Sequence, residues 1–395
     1  MITVSEAYSL IASHERNFGT QKVPFQKALN RILAEDVFAN RDFPPFDRVM
    51  MDGIAINGDS FANLKRHFFI ENESAAGTSI QSLSNKEHCI EVMTGAVLPG
   101  GTNVVIPYEE CTIEDGVATI VVDKIKPFQN IHRQGSDEKQ GAILLPKNTL
   151  ITATHISILA TVGLHEVEVY QLPTIVICST GDELVGVEQT PLPHQIRQSN
   201  VYFMAADLEG ENICASIHHL PDNKEQIKEN LLSILQSNDV VLLSGAVSKG
   251  KKDYLPQTLT EIGFETVFHG VSQRPGKPFL FARMNNKFVF CFPGNPVSTF
   301  VCYHLFFKHW LHLNLHQSPK TITAKLNEEV AVPATLALHI LVKLFYRDGE
   351  CFAQPLKAST SGDVISLIHV DGIVSFTSKD KTIHQHEVVT VVVCG

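Results

Sequence analysis

The sequence lacks the features of a secreted, membrane-spanning or nucleic-acid-binding protein. No apolar run approaches the roughly 20 residues that a membrane helix requires. The opening stretch, MITVSEAYSLIASHE, has neither a basic segment nor a long apolar core, so we expect no signal peptide. Acidic residues outnumber basic ones, 42 to 32, and the formal net charge of −10 argues against non-specific nucleic-acid binding. Any site for anions must therefore be local.

Familiar catalytic and metal-binding motifs are also missing. None of the eight cysteines has C-x-x-C spacing, and Cys178 and Cys291 lie inside apolar runs, so we predict reduced, buried thiols in a cytoplasmic protein. No G-x-G-x-x-G follows a predicted strand, so the dinucleotide fingerprint is absent. Ser199 and Ser248 lack a G-x-S-x-G context, which disfavours a hydrolase triad.

The 395 residues, 44% of them hydrophobic and 19% charged, are enough for several globular domains. We predict a multidomain α/β plus β protein. Residues 1–45 and 142–172 form an N-terminal linker domain, and residues 46–141 form a β-rich inserted domain. Alternating strands and helices over residues 173–317 indicate a doubly wound, mostly parallel sheet covered on both faces. Residues 318–395 read as a small all-β domain.

Local signals predict individual helices. Thr3 with Glu6 fits a capping box that opens a helix ending near Ser13. Pro24 predicts a second helix, Phe25–Leu33, and Asp222 is expected to cap a later one. A final helix of the α/β domain carries four histidines, and no Glu follows the first residue of its i,i+4 pair as a zinc motif requires. We therefore predict a solvated amphipathic face over these histidines, namely His304, His309, His312 and His316.

Three predicted strands of the α/β domain end in small, polar, Gly-containing loops. The apolar run Val240–Leu243 continues into SGAVSKGKKD, Thr174–Cys178 into STGDEL, and Phe288–Phe292 into PGNPVS. Small side chains let backbone N–H groups approach an anion. Ligands of open α/β sheets collect where the strands end, so we expect one extended polar ligand across this edge. The residues assigned to bind it are Ser179, Thr180, Gly181, Asp182, Ser244, Gly245, Val247, Ser248, Pro293, Gly294, Asn295, Pro296 and Ser298.

Each loop also has a simpler interpretation. The stretch from Gly245 nearly matches the nucleotide P-loop, but Lys252 replaces the hydroxyl that would hold Mg²⁺, so an anion cradle of another kind is favoured over an NTPase. Pro296 at the start of a helix would leave free N–H groups for an oxyanion, although a plain strand–helix turn has the same pattern. Arg274 and Lys277 in RPGKP could clamp an oxyanion or form a solvated basic turn.

Two carboxylates, Asp182 and Glu183, follow the predicted strand Thr174–Cys178. They could hold Mg²⁺ through oxygens, with phosphate supplying the remaining ligands. Capping of a turn by Asp182 is the alternative.

Together these segments resemble the MoeA family, the molybdopterin molybdenumtransferases that include the C-terminal domain of gephyrin. The matching segments come in family order over most of residues 1–310. They are PPFDRVMMDGIAI, EVMTGAVLPGGTNVVIPYEE, RQGSDEKQG, STGDEL, QIRQSN, LLSGAVSKGKKDY, RPGKPFLFA and FCFPGNPVS. The resemblance implies a MogA-like α/β domain, an elongated linker domain, a C-terminal β-barrel and a homodimer.

The resemblance also implies a reaction. Molybdate is inserted into adenylylated molybdopterin with the help of Mg²⁺, AMP is released, and a MogA-like adenylyltransferase is the partner that supplies the substrate. Catalytic positions carried over by motif are Asp52, Thr94, Asp137, Glu183 and Asp253, with Asp52 and Glu183 assigned to metal or water positioning. In relatives the first three face the α/β domain of the partner subunit. Arg274 and Lys277 would neutralise molybdate.

Two other functions stay open at the level of sequence. Ala246 stands where the family has Gly, and the barrel strand LALHILVKLFY offers only Lys343 as a cation. These departures suit a catalytically weakened relative that binds molybdopterin or serves as a scaffold. The near-P-loop suits a phosphotransferase. Incubation with adenylylated molybdopterin, molybdate and Mg²⁺ separates the three functions by AMP release, binding alone, or ATP turnover without pterin.

Overall fold

The computed structural model describes residues 1–245, 247, 254–357, 359–377, 380 and 382–394. The chain forms two compact units. The first unit comprises Met1–Val23, Ala28–Ala34 and Glu168–Gly395, and the second comprises Pro24–Lys27 and Glu35–Val167. Within the described ranges no helix is long and apolar enough to cross a membrane.

A six-stranded sheet forms the centre of the first unit. Its strands, in spatial order, are Ser216–Leu220, Ile175–Thr180, Val240–Ser244, Lys287–Phe292, Leu280–Met284 and Glu265–His269. The first four are parallel, and Leu280–Met284 runs antiparallel to both of its neighbours, Lys287–Phe292 and Glu265–His269. The predicted mostly parallel sheet is confirmed. Strands buried on both faces read as continuous apolar runs, which explains why Val240–Leu243 carries no polar residue.

Helices cover both faces of this sheet. They are Asn200–Glu209, Lys224–Ser237, Leu255–Glu261 and a long helix that runs as Pro296–Cys302, a π-helical turn Tyr303–Phe307 and Lys308–Asn314. One face packs Val176 and Val241 against Ile227 and Leu231 of Lys224–Ser237. On the other face the ring of Phe288 lies 4.9 Å from that of Trp310 in the long helix.

The three central strands end at the same level. Ser179 pairs with Ser244, and Ser244 pairs with Phe292, in the parallel registers of Ile175–Thr180, Val240–Ser244 and Lys287–Phe292. The segments that follow them therefore leave the sheet side by side. We call Gly181–Glu183 the first loop, the described residues Gly245 and Val247 the second loop, and Pro293–Asn295 the third loop.

A closed five-stranded β-barrel follows in the first unit, as the small all-β domain was predicted to be. Its strands, in order around the barrel, are Ala337–Arg347, Glu350–Pro355, Thr321–Leu326, Val388–Val393 and Gly372–Phe376, which pairs back with the first. The first strand extends one residue past the stretch LALHILVKLFY to Arg347, so Lys343 is not its only cation. Arg347 lies 4.6 Å from the ring centre of Phe352.

The second unit contains the predicted β-rich sheet. Six strands lie in the order Val104–Pro107, Gly53–Ile56, His88–Val92, His67–Ser74, Val117–Ile120 and Cys111–Glu114. Ile54, Phe68 and Ile106 form part of its buried core. Helix Ala153–Thr161 follows, with Gly163 at a φ of +76° just beyond its end, where a left-handed residue commonly terminates a helix.

Shorter elements complete the chain. The helices are Val4–Ala12 and Gly58–Ala62, with 3₁₀ turns Phe25–Lys27, Tyr108–Glu110 and Val364–His369. The short strands are Thr20–Pro24, Val37–Phe38, Arg48–Val49, Ile131–His132, Ile143–Leu145, Glu166–Tyr170, Leu184–Val185, Ile196–Arg197, Gln273–Arg274, Val330–Ala331 and Thr382–Ile383.

The capping box is confirmed: Thr3 Oγ1 accepts the N–H of Glu6, and Glu6 accepts the N–H of Thr3. The predicted helix Phe25–Leu33 is wrong, because only a 3₁₀ turn forms and Asn30 has a φ of +60°. The cap predicted at Asp222 is also wrong. Asn223 is the N-cap, and its side-chain oxygen accepts the N–H of Gln226 at 3.0 Å.

Candidate functional site

The second loop lies against the end of the first central strand and against the third loop. A β-carbon on Gly245 would lie 2.5 Å from the carbonyl oxygen of Thr180, which precedes the first loop. A β-carbon on Gly294 would lie 3.6 Å from Cα of Gly245. Because no side chain separates these backbones, the ends of the three strands lie against one another, and we call this edge of the sheet the trough.

Asn200, the first residue of helix Asn200–Glu209, joins the end of strand Val240–Ser244 to the third loop. Its amide nitrogen donates to Oγ of Ser244 at 2.9 Å and to the carbonyl oxygen of Gly294 at 2.9 Å. It also lies 3.2 Å from Oγ1 of Thr299, which in turn donates to the carbonyl oxygen of Pro293 at 2.5 Å. Sequence reasoning assigned Asn200 no role; its place in QIRQSN was the signal that could have singled it out.

The hydroxyl residues of the trough are buried. Ser179, Thr180, Ser244 and Ser298 are between 2% and 5% exposed. Oγ of Ser179 donates to Oε1 of Gln198 at 2.8 Å and lies 2.9 Å from Nδ1 of His219. The hydroxyl of Ser179 is therefore held by two neighbouring side chains, and the sequence did not indicate these partners, Gln198 and His219.

Residues of the second loop are described only in part. Val247 is 1% exposed and its side chain packs in the core near Leu255, so only its backbone can face a ligand. The predicted site residues Ser248 and Asp253 lie outside the described residues, as does Ala246. The near-P-loop segment from Gly250 to Lys252 does as well.

The two carboxylates of the first loop are exposed but differ in their contacts. Oδ1 of Asp182 accepts the N–H of Asp222 at 3.3 Å, so this carboxylate bonds to a distant segment rather than to its own turn. The carboxylate of Glu183 folds back over Gly181, with both oxygens 2.7 Å from the position of a β-carbon there. Gly181, with a φ of +131°, leaves the space that this carboxylate occupies.

These carboxylates suit Mg²⁺ only if substrate phosphates supply further ligands. Within the described ranges no group of three His, Cys, Asp or Glu residues could hold a metal ion by itself. Mg²⁺ is commonly bound by one or two carboxylates together with substrate phosphates. An exposed carboxylate such as that of Glu183, at the end of a central strand, suits Mg²⁺ binding that is shared with substrate phosphates.

Arg274 and Lys277 lie on a loop that packs beside the trough. Both are exposed, and no ion pair joins either to another residue of the described chain. Gly276 between them is buried at a φ of +88°, where a β-carbon would collide with Sγ of Cys302 and lie 3.5 Å from the carbonyl oxygen of Ser298. The loop Arg274–Lys277, which we call the cation loop, therefore lies against the helix that follows the third loop.

The start of that helix is not as open as the sequence suggested. Asn295 is the N-cap and Pro296 the first helical residue, as predicted. The N–H of Val297, however, donates to the carbonyl oxygen of Ser361 at 3.1 Å, and Nδ2 of Asn295 donates to Oγ of the same serine at 2.7 Å. The expectation of free N–H groups is wrong for Val297, because a segment of the barrel has taken that donor.

The predicted solvated face is wrong for His304, which is buried, and for His309 and His312, which are partly buried, whereas His316, beyond the end of the long helix, is exposed. His304 is 8% exposed, and Nε2 of His312 lies 3.1 Å from Oε1 of Glu211. Lys308, between these histidines, pairs with both Glu211 and Asp207, the latter at 2.8 Å. Burial lowers the pKa of His304 to about 4, so its ring packs as a neutral group.

In the second unit, Asp52 and Thr94 are in direct contact. Oδ1 of Asp52 accepts the backbone N–H of Thr94 at 2.6 Å and its hydroxyl at 2.7 Å. These two bonds, the backbone bond first, lower the pKa of Asp52 below its usual value. Gly53 is needed at this turn because a β-carbon would collide with the carbonyl oxygen of Ile106.

The remaining predicted acid of this unit, Asp137, belongs to a short chain of hydrogen bonds. Arg48 donates to Nδ1 of His132 at 3.0 Å, so Nε2 of His132 carries the proton and donates to Oδ1 of Asp137 at 2.7 Å. Strand Arg48–Val49 pairs with Ile131–His132, and Val49 accepts the N–H of Gly95 on its other side. The segments that carry Asp52, Thr94 and Asp137 therefore flank one short strand.

Known proteins share this architecture. Residues 2–163 match the MoeA N-terminal region (domain I and II), and residues 176–312 match a probable molybdopterin binding domain. The molybdopterin biosynthesis moeA protein of Pyrococcus horikoshii OT3 has the same fold, with a TM-score of 0.84, 27% identity and complete coverage of both chains. The fold and its trough thus define a protein of the molybdopterin-binding class.

The sequence comparison identifies the family. The chain is 36% identical over 377 residues to the molybdopterin molybdenumtransferase of Synechocystis, covering 94% of each chain. It is 33% identical over 310 residues to that of Haemophilus influenzae, covering 77% of this chain and 75% of the relative. The chain belongs to the MoeA family of molybdopterin molybdenumtransferases.

Proposed function

We propose that this chain inserts molybdate into adenylylated molybdopterin, with release of AMP and formation of the molybdenum cofactor. The observation that supports this most strongly is the trough, in which Thr180, Gly245 and Gly294 bring three strand ends into contact. A trough of close-packed backbone suits an extended phosphorylated ligand better than three isolated turns do. Physically, the reaction is cleavage of a phosphoanhydride coupled to metallation of a dithiolene.

In this proposal the three loops of the trough bind the pterin and the phosphates, and the cation loop binds molybdate. The first, second and third loops hold the pterin and the phosphates, with Ser179, Thr180, Ser244 and Ser298 as the buried frame. Arg274 and Lys277 neutralise molybdate, Arg through its planar fork and Lys as a point charge. Their exposure and the lack of an ion pair to the rest of the described chain leave both cations available to an anion.

The acidic residues are assigned to the charge and the water of the reaction. Glu183 and Asp52 are each assigned to hold Mg²⁺ or to position water. When bound, Mg²⁺ supplies positive charge to the phosphate oxygens that become more negative as the anhydride breaks. Thr94 holds the carboxylate of Asp52 in one orientation and in its charged form. Asp137, oriented by His132, and Asp253 complete the proposed catalytic set.

We further propose an oligomeric state, a partner protein and a cellular compartment for the enzyme. The site is completed in a homodimer, and a MogA-like adenylyltransferase supplies the adenylylated substrate. All eight cysteines are free thiols in the structure, which agrees with a reducing cytoplasm. The linker assignment of residues 1–45 and 142–172 and the inserted domain 46–141 are kept as proposals; every strand of the second unit's six-stranded sheet lies within 46–141.

The test is reconstituted insertion with adenylylated molybdopterin, molybdate and Mg²⁺, followed by AMP release. We expect Glu183→Ala and Asp52→Ala each to lower the rate by about 100-fold or more, the usual scale for a positioned acid or base. Glu229→Ala and Asp123→Ala, exposed acids of the first and second units, are the matched controls. Full activity in both site variants would remove the acid assignments, and binding without AMP release by the unaltered chain would favour the scaffold function.

A further inference from the structure

A buried glutamine closes the cation loop from within. Gln273 is 1% exposed, and its amide nitrogen donates to the carbonyl oxygen of Gly276 at 3.0 Å and lies 3.4 Å from Sγ of Cys302. The backbone also closes on itself, since the N–H of Val271 donates to the carbonyl oxygen of Lys277 at 2.9 Å. A buried amide is tolerated only when its polar atoms are paired, so Gln273 ties the conformation of this loop to its own partners.

The remaining partner of Gln273 comes from the barrel. Nε2 of His339 lies 3.1 Å from Oε1 of Gln273, and Nδ1 lies 2.8 Å from Oγ of Ser375 on the neighbouring barrel strand. Because the amide nitrogen of Gln273 faces the carbonyl of Gly276, its oxygen must accept, and Nε2 of His339 must carry the proton. Burial lowers the pKa of His339 to about 4, so the ring is neutral and Nδ1 accepts from Ser375.

The backbone repeats this connection. Gln273–Arg274 pairs in parallel with Ala337–Leu338 at the start of the first barrel strand. The N–H of Ala337 donates to the carbonyl oxygen of Ser272 at 3.0 Å. The cation loop is therefore joined to the barrel by strand pairing and by a column of three hydrogen-bonded polar side chains, the buried Gln273 and His339 and the exposed Ser375, which we call the polar column.

We propose that Gln273 and His339 are positioning residues for the oxyanion, through which the barrel holds the cation loop ready to bind molybdate. The inference rests on the proposed role of Arg274 and Lys277. Two like charges on one short loop repel each other, and an unbraced loop would have to be ordered at the moment of binding. In a braced loop the free-energy cost of ordering is met when the protein folds, so both cations are already in position when the anion binds.

This role predicts which kinetic constant responds. The polar column touches neither the trough glycines nor the acidic residues, so turnover at saturating molybdate should stay within about twofold. Loss of the brace should raise the KM for molybdate by about 10-fold to 100-fold, the range seen when groups that orient binding residues are removed. The KM for adenylylated molybdopterin should change little.

The experiment uses the full chain, with sodium molybdate varied in the AMP-release assay. Gln273→Leu and His339→Leu remove the hydrogen bonds at similar volume, and His339→Gln keeps an N–H donor near the position of Nε2. Ser375→Ala, which retains the imidazole, is the mildest variant and keeps the test open if a leucine variant does not fold. We expect a raised KM for molybdate in both leucine variants, a smaller rise in Ser375→Ala, and recovery in His339→Gln.

Two controls separate positioning from general damage. Val389→Ala weakens the barrel core without touching the polar column, and we expect the KM for molybdate to be unaltered. Arg274→Ala tests the site itself. If Arg274→Ala raises the KM for molybdate while the folded polar-column variants do not, the positioning role is wrong and the proposed function stands. If Arg274→Ala leaves it unchanged, the oxyanion role of the loop fails and this inference fails with it.

Discussion

Oδ1 of Asp52 accepts two hydrogen bonds from Thr94, one from the backbone and one from the hydroxyl. Both favour the charged carboxylate, so the pKa of Asp52 lies below its ordinary 3.8. A depressed carboxyl pKa stabilises the fold above the unfolded value, and that contribution is lost as the pH falls through the folded value. The turn that carries Asp52 should therefore keep its geometry at neutral pH and loosen only in acid.

Replacing Thr94 tests this relationship. In Thr94→Val the backbone bond remains and the hydroxyl bond is lost, so we expect the pKa of Asp52 to rise part of the way towards 3.8. A carboxyl-carbon NMR titration of Asp52 measures this, and Thr94→Ser, which keeps a hydroxyl, should behave as the unaltered chain. An unchanged pKa in Thr94→Val would show that the backbone bond alone sets it.

The contact between Gly245 and Thr180 predicts a strong effect from a single methyl group. Gly245→Ala would force a β-carbon against the carbonyl of Thr180 at a φ of +110°. We expect AMP release to fall sharply and the free energy of unfolding to fall by more than the roughly 1–3 kcal/mol of backbone strain. Gly349→Ala is the matched control, because Gly349 has a φ of +80° with nothing within 4 Å. Equal losses in the two variants would remove the contact as the cause.

Asn200 should matter for ligand affinity. In Asn200→Ala, Ser244 and the carbonyl of Gly294 lose their shared donor, and unsatisfied groups of this kind cost about 1–3 kcal/mol. We expect weaker binding of adenylylated molybdopterin by roughly 5-fold to 150-fold, measured by calorimetric titration. Asn230→Ala, which removes an exposed asparagine bonded only to Gln226 within its own helix, should bind normally. Normal binding by the Asn200 variant as well would mean that the loops hold together without it.

Lys308, Asp207 and Glu211 form a buried ionic cluster, and removal of its cation, Lys308, should lower the stability of the fold. Lys308→Met leaves Asp207 and Glu211 without their buried partner, and we expect the free energy of unfolding to fall by about 3–5 kcal/mol. Lys325→Met breaks the exposed pair with Glu350 and should cost about 0–1 kcal/mol. Urea unfolding of both variants measures the difference. A loss as small in Lys308→Met as in Lys325→Met would contradict a stabilising role for the buried pair.

The same cluster predicts acid sensitivity. Despite the opposing effect of burial, His312 and Lys308 lower the pKa of Glu211 from 4.5 to about 2. Its contribution to stability is therefore complete above the ordinary pKa and is lost as the pH falls towards 2. Urea unfolding of the unaltered chain between pH 5 and pH 2 should show this loss, and it should be smaller in Lys308→Met.

Sequence patterns predicted the parts of the fold that depend on neighbours in the chain. Apolar runs that end in Gly-containing loops predicted the three central strands, and Thr3 with Glu6 predicted the first helix, because these signals lie within a few residues. Local reasoning failed at Phe25–Leu33, where Pro24 opens only a 3₁₀ turn and Asn30 adopts a left-handed conformation. It also failed on the long helix, whose polar residues pair with Glu211 and Asp207 about a hundred positions away.

The loops of the candidate site could be predicted from the sequence, but the residues that hold the cation loop in place could not. Glycine and proline mark turns directly, so Gly245, Gly294 and the RPGKP turn could be recognised. Gln273 and His339 are separated by 66 positions and carry no periodic signal. Their pairing depends on how the barrel folds back onto the loop, and no local pattern encodes that.

The carbonyl oxygen of Ser361 accepts the N–H of Val297, so the barrel supplies part of the lining at the start of the long helix. A fragment ending before the barrel would leave that amide facing water. Such a fragment would offer a phosphate one donor that the intact chain has already committed. Anion affinities measured on the isolated α/β portion would therefore describe a different surface from that of the complete protein.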